Sequence, residues 1–195
     1  MRNTLRLALC MLAYLVLMTI TICSLAQPVE GSEYISNHRR TPAVQNLPPQ
    51  VGQWHLTPTV IVCEHAPITQ PQIRSAVQSW KNLGYRFFST QYKHDPLNKC
   101  LDSQPVGYIT IHRVTSEITT QNPTALAETH FFVNENSNEI AWAIIYVRHD
   151  IKPTVLEHEI GHALGFLHFN RAKHLMNEKW IRGGWDTDGL EKRRQ

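Results

Sequence analysis

The segment His158-Glu159-Ile160-Gly161-His162-Ala163-Leu164-Gly165-Phe166-Leu167-His168 constrains this 195-residue chain more than any other. Its histidines recur at a spacing that suits a single metal ion, provided the backbone does two different things in turn. His158 and His162 are four residues apart, so on a helix they stand one turn apart on the same face. Glu159 is rotated by about 100° from His158, which places its carboxylate beside such an ion. That position suits a base better than a ligand. His168 lies six residues beyond His162, about 9 Å further along a continued helix, while metal–imidazole bonds are about 2.1 Å. The helix must therefore end and the chain must turn back. Gly165 is the residue type that ends a helix in a left-handed conformation without steric cost.

A bare H-E-x-x-H occurs by chance in many helices, but five fixed positions have a chance frequency of about one in 10⁷ per starting point. The alternative is an amphipathic helix, Val155 to Leu164, whose histidines are merely solvated.

H-E-x-x-H-x-x-G-x-x-H is the zinc signature of the metzincin metallopeptidases, and the chain resembles a small, matrixin-like member. Leu175-Met176 stands where matrixins carry the methionine turn beneath the zinc. The resemblance implies that His158, His162 and His168 are zinc ligands, that Glu159 is the general base, and that Met176 forms the floor of the site. Taken alone, Met176 reads as an ordinary core methionine. The likeness spans roughly residues 58 to 195 and is specific over 158 to 176. Three features depart from the matrixin pattern. Phe169 follows the third histidine where Ser is usual, and Asn177-Glu178 follows Met176 in place of Tyr-Pro. The cysteine-bearing propeptide segment of matrixins has no counterpart.

The beginning of the chain reads as an export signal. Arg2 and Arg6 precede Leu7 to Cys23, an uncharged, mostly apolar run, and Ser24-Leu25-Ala26 offers the small residues of a cleavage site. Cleavage after Ala26 is expected, leaving a secreted or periplasmic protein. An uncleaved anchor through residues 7–23 is the alternative. The whole chain carries a formal charge of +3; without Arg2 and Arg6, 17 basic side chains face 16 acidic ones. So even a balance argues against nucleic acid as a partner. Peptide or protein substrate is the expected partner, with no stable membrane association if the leader is removed, and a monomer is expected. Cys10 and Cys23 fall in the leader. Cys63 and Cys100 remain, and in an oxidising compartment they most simply pair. Two buried free thiols are the alternative.

Along the rest of the chain, residues 27–57 contain Pro28, Pro42, Pro48, Pro49 and Gly52 and read as an extended N-terminal segment, either linker or surface-wrapping chain. The catalytic domain is expected over 58–195. Thr59 to Cys63 reads as a strand. Thr69 is a candidate cap for a helix carrying Ile73, Val77 and Trp80 at helical spacing. Strands are then expected at Tyr85 to Ser89 and Val106 to Val114. Ala125 to Val133 and Ile140 to Val147 read as a hairpin. Thr154 is a candidate cap for the motif helix, and Asp188 to Arg194 a short last helix. This order implies an α+β fold, a twisted mixed sheet packed on helices. By resemblance it is zincin-like, with an antiparallel edge strand and the zinc site on the central helix. Ala125 to His130 is the candidate edge strand for holding a peptide. His112, His130, His149 and His174 form no recognised ligand set.

The expected activity is zinc-dependent endopeptidase hydrolysis, with one catalytic Zn²⁺ and with Glu159 as proton carrier. Trp180 and Trp185 are candidates for the wall beside the scissile bond. Two further readings compete: an exported zinc-containing protein-binding module of the same fold without significant peptidase activity, and an amidase acting on cell-wall peptides. The intact Glu159 speaks against the binding module, since three histidines alone suffice to hold a metal.

Overall fold

The computed structural model describes residues 47–115, 125–149 and 151–192. The leader 1–26, its apolar run 7–23 and residues 27–46 lie outside the described residues. Among the described residues, six strands and two helices follow in the order β1 Gln53–Trp54, β2 Thr59–Val62, α1 Gln70–Asn82, β3 Thr90–Tyr92, β4 Tyr108–Arg113, β5 Ala127–Asn134, β6 Glu139–Val147 and α2 Val155–Ala163. Short 3₁₀ turns occur at Lys99–Leu101 and Trp180–Arg182. The architecture is α+β. The sheet runs β1-β6-β4-β2-β3, with β5 also paired to β6. It is mostly parallel: every pairing along that path is parallel, and β5 runs antiparallel to β6 as the first arm of a hairpin. Among the described residues no helix is long and apolar enough to cross a membrane.

Sequence and packing explain these elements. β2 (Thr-Val-Ile-Val) is buried at every position, as expected of a strand flanked by parallel neighbours and covered on both faces. Helix α1 begins with a reciprocal capping box. The Thr69 hydroxyl accepts from Gln72 N–H at 3.4 Å, and Thr69 N–H donates to Gln72 Oε1 at 2.8 Å. Its buried stripe, Ile73, Ala76, Val77 and Trp80, packs between the sheet and α2. There the Trp80 indole N–H donates to Glu157 O at 2.8 Å. Val60, Val62, Ile109, Ile111, Ala143, Ile145 and Val147 supply the sheet side of this core, and Leu156, Ile160 and Met176 close it from the motif region.

Three expectations are corrected. Tyr85 to Ser89 is not a strand, because parallel pairing with β2 begins only at Thr90, opposite Val60. The segment instead carries the chain from α1 to the sheet edge, and Tyr85 stacks edge-on against Trp80, ring centroids 5.4 Å apart. Asp188 to Lys192 is a turn and irregular chain, not a helix. Gly189 adopts φ +81°, a left-handed conformation that interrupts any helix there. Residues 193–195 lie outside the described residues. Thr154 occupies the position before α2, but at φ +71° its side chain makes no capping hydrogen bond. Residues 47–54, expected as extended chain, are fastened to the body of the fold: Gln50 bridges Phe166, and β1 pairs with β6.

Cys63 and Cys100 form a disulfide, 37 residues apart in sequence. It ties the 3₁₀ turn at Lys99–Leu101 to the end of β2. A closed loop of this length restricts the unfolded chain enough to stabilise the fold by about 3–4 kcal/mol. Urea denaturation of the full-length protein with Cys63 and Cys100 both replaced by Ser should show a loss of that size. An unchanged midpoint would contradict a structural role for the bridge.

Candidate metal centre

The site begins with how α2 ends. Phe166 N–H donates to Gly161 O at 3.0 Å and Gly165 N–H to His162 O at 2.8 Å, with Gly165 at φ +92°. These are the paired bonds of a Schellman turn, which reverses the chain within one residue of the helix end. Residues 49–54 clasp the turn. Val51 N–H donates to Gly165 O and Leu167 N–H to Pro49 O, each at 2.9 Å. The Gln50 amide and the Trp54 indole donate to Leu164 O and Ala163 O at 3.0 and 2.7 Å. Two carbonyls at the helix end that lack an intrahelical donor are thereby satisfied. A Cβ at Gly165 would lie 2.3 Å from Gly52 O, so glycine is required twice, for its φ and for this close approach.

The reversal returns His168 to its partners. His162 Nε2 lies 3.0 Å from His158 Nε2 and 3.2 Å from His168 Nε2. Nitrogens bound at about 2.1 Å around a tetrahedral ion stand about 3.4 Å apart, so the cluster is within a few tenths of an ångström of that geometry. The outer nitrogens fix the tautomers. His158 Nδ1–H donates to Leu175 O, and His162 Nδ1–H to Phe166 O, both at 2.7 Å. Their Nε2 lone pairs are thus directed inward, the arrangement that metal-binding histidines use. Burial drives the His158 pKa down to about 4 and that of His162 well below the usual histidine value. Both rings are therefore neutral and ready to bind a cation at neutral pH. His158, His162 and His168 could hold a metal ion. Among the described residues they are the one group of three or more His, Cys, Asp or Glu side chains whose ligand atoms converge.

Met176 is fully buried beneath the site. A Cβ on Gly161, between the first two histidines, would lie 2.4 Å from its sulfur. The turn carrying Met176 is held by His174, also fully buried, whose Nδ1 accepts from Met176 N–H and whose Nε2–H donates to Asp188 O, both at 3.1 Å. His174 is thus a structural side chain locked in one tautomer. His112, His130 and His149 sit apart from the cluster, beside Thr110, Glu128 and Arg113 respectively. Phe169 stacks edge-on against His174 at 4.9 Å, and its N–H donates to Met176 O at 2.7 Å. The Asn177 amide donates to Arg171 O at 2.8 Å, and its Oδ1 accepts from Lys179 N–H at 2.9 Å. Arg171 in turn pairs with Asp186 and Asp188. The departures at 169 and 177 are therefore built into the turn beneath the histidines.

Glu159 is buried next to His158. Burial raises its carboxyl to a pKa of about 7, opposed by a hydrogen bond from Thr129 and reinforced by the charge of Glu128. Thr129 Oγ lies 2.5 Å from Glu159 Oε2 and 3.2 Å from Glu159 O. A carboxylate poised near neutrality can take up and release a proton. Thr129 carries no motif, but strand parity gives a signal: it shares the inward face of β5 with buried Ala127. Trp180 and Trp185 are partly exposed; the Trp180 indole donates to Pro153 O at 2.9 Å.

Replacing Gly165 with Ala should cost about 2–5 kcal/mol, combining left-handed strain and overpacking. It should also weaken zinc binding, because His168 depends on that turn. Urea denaturation and a zinc titration read the two effects, and wild-type behaviour in both would refute the turn's role. No protein-family model and no curated protein matches this chain.

Proposed function

We propose that this chain is an exported, zinc-dependent endopeptidase of the metzincin kind, with a zincin-like catalytic domain. The observation that carries the reading is the convergence of three histidine nitrogens, two of them from a helix that also carries one buried carboxylate, Glu159, next in sequence to His158. His158, His162 and His168 would hold the ion, three protein ligands being the number that catalytic zinc sites use. A zinc ion held there would acidify water and polarise the scissile carbonyl.

The remaining steps belong to the protein. Glu159 accepts a proton from the attacking water and delivers it to the departing amine. Neutral His158 and His162, oriented by Leu175 O and Phe166 O, would offer their Nε2 lone pairs to the ion and so would not compete for that proton. β5 offers the edge against which a peptide can add as a further strand, its backbone supplying hydrogen bonds. Trp180 and Trp185 form part of the wall beside the scissile bond. The Cys63–Cys100 disulfide favours an oxidising compartment, in keeping with a secreted or periplasmic protein.

Mature zinc-loaded protein incubated with a proteome-derived peptide library should yield internal cuts, identified by mass spectrometry. Chelator should abolish them, and Glu159→Gln should slow them by about 10²–10⁴-fold, the usual worth of a positioned proton carrier. Full activity in a zinc-loaded Glu159→Gln protein would refute the role of the carboxylate. No cuts above that control would favour an inert binding module. The pH dependence has a definite sign. Glu159 must be ionised to act as a base, and a neighbouring cation lowers its pKa from about 7. The acid limb of kcat/KM should therefore rise through a midpoint at or below pH 7, and a midpoint above 8 would contradict the assignment.

A further inference from the structure

We propose that Thr129 is a positioning residue for Glu159, its hydroxyl on β5 holding one carboxylate oxygen so that the other is presented to the reacting proton. The proposal rests on the peptidase reading above and adds to it a residue from outside the histidine motif. Thr129 Oγ has one hydrogen and two acceptors within reach, Glu159 Oε2 at 2.5 Å and Glu159 O at 3.2 Å. The shorter contact falls in the range of charge-assisted O–H···O⁻ bonds, so the carboxylate takes the proton of the hydroxyl as its hydrogen-bond partner.

Three further facts make this contact specific. No other protein group among the described residues hydrogen-bonds the Glu159 carboxylate. The side chain is nearly inaccessible, so bulk water is a poor substitute. Glu128 and His130, the neighbours of Thr129 on β5, engage each other at 2.7 Å. Successive strand residues point to opposite faces, so Thr129 alone of these three reaches α2. A flexible carboxylate with one oxygen fixed loses the rotations that would misdirect the other, and such orientation effects act on the reaction step more than on substrate binding. The same strand is the one proposed to receive the peptide, so the base and the substrate share one rigid reference.

Two substitutions separate positioning from packing. Thr129→Val keeps the shape and removes the hydroxyl; Thr129→Ser keeps the hydroxyl and removes a methyl group. In the zinc-loaded mature protein, Thr129→Val should lower kcat by about 10–100-fold with KM within about twofold. Bound zinc, read by atomic emission, should be unchanged, and Thr129→Ser should restore kcat to within about threefold of wild type. Thr129→Ala, measured alongside with circular dichroism, replaces Thr129→Val if that variant fails to fold and carries the same expectation. Wild-type kcat in Thr129→Val, or the reverse order with Val active and Ser impaired, would overturn the proposal. A wild-type protein that binds zinc and cleaves nothing would instead sink the peptidase reading, and the role assigned to Thr129 with it.

Discussion

The left-handed turn at Gly165 is the constraint on which the rest of the site depends. A helix alone can offer His158 and His162 to one ion, but only a chain that reverses within a residue of Leu164 can bring His168 back. That reversal is stabilised from two sides. Within the motif, the Schellman bonds of Gly165 and Phe166 close the helix end. From outside, residues 49–54 lie across it, with Gly52 O pressed where a Cβ at position 165 would stand. The same turn then supplies Phe166 O to orient His162. Helix termination, strand pairing and ligand orientation are thus one connected piece of geometry.

A second turn does for His158 what the first does for His162. Leu175 O accepts from His158 Nδ1–H, while the adjacent Met176 lies against Gly161 beneath the histidines. Buried His174 accepts from Met176 N–H, and Arg171 bridges to Asp186 and Asp188. Residues 182 and 186 hydrogen-bond back to Lys173 and Leu175. The short chain after Met176 therefore acts first as a clamp on the floor of the site. Two neutral, desolvated imidazoles with their lone pairs converging are a costly arrangement unless a cation or a proton joins them. Such an arrangement is what a ligand set held ready for metal requires.

Much of this was legible in the sequence because it rests on local rules. The spacing of His158, His162, Gly165 and His168 dictated a helix, a break and a return. Thr69 marked a helix start, and the polar turn 134–139 marked a hairpin. What escaped the sequence was set by distant partners. Tyr85 to Ser89 has strand composition, yet Trp80 and Phe166 draw Tyr85 into the core and delay pairing to Thr90. Thr154 has the right chemistry for a cap and the wrong backbone angle. The prolines of residues 47–54 read as linker or surface-wrapping chain, and only the structure shows that their neighbours cap α2. Strand parity turns Thr129 inward, but its bond to Glu159 comes from the packing of β5 on α2, a tertiary contact that no motif records. His174, whose spacing fits no ligand set, is a buried support for Met176, a role that only the tertiary structure reveals.

X-ray absorption at the zinc edge on the purified, zinc-loaded protein tests the central claim most directly, since it reports the donor set itself. A first shell of nitrogen and oxygen at about 2.0–2.1 Å, with imidazole scattering from three rings and one remaining light-atom ligand, is the predicted result. The spectrum of a His168→Ala protein should lose one imidazole. A shell containing sulfur at about 2.3 Å, or a spectrum unchanged by His168→Ala, would contradict the assignment of His158, His162 and His168 as the metal site.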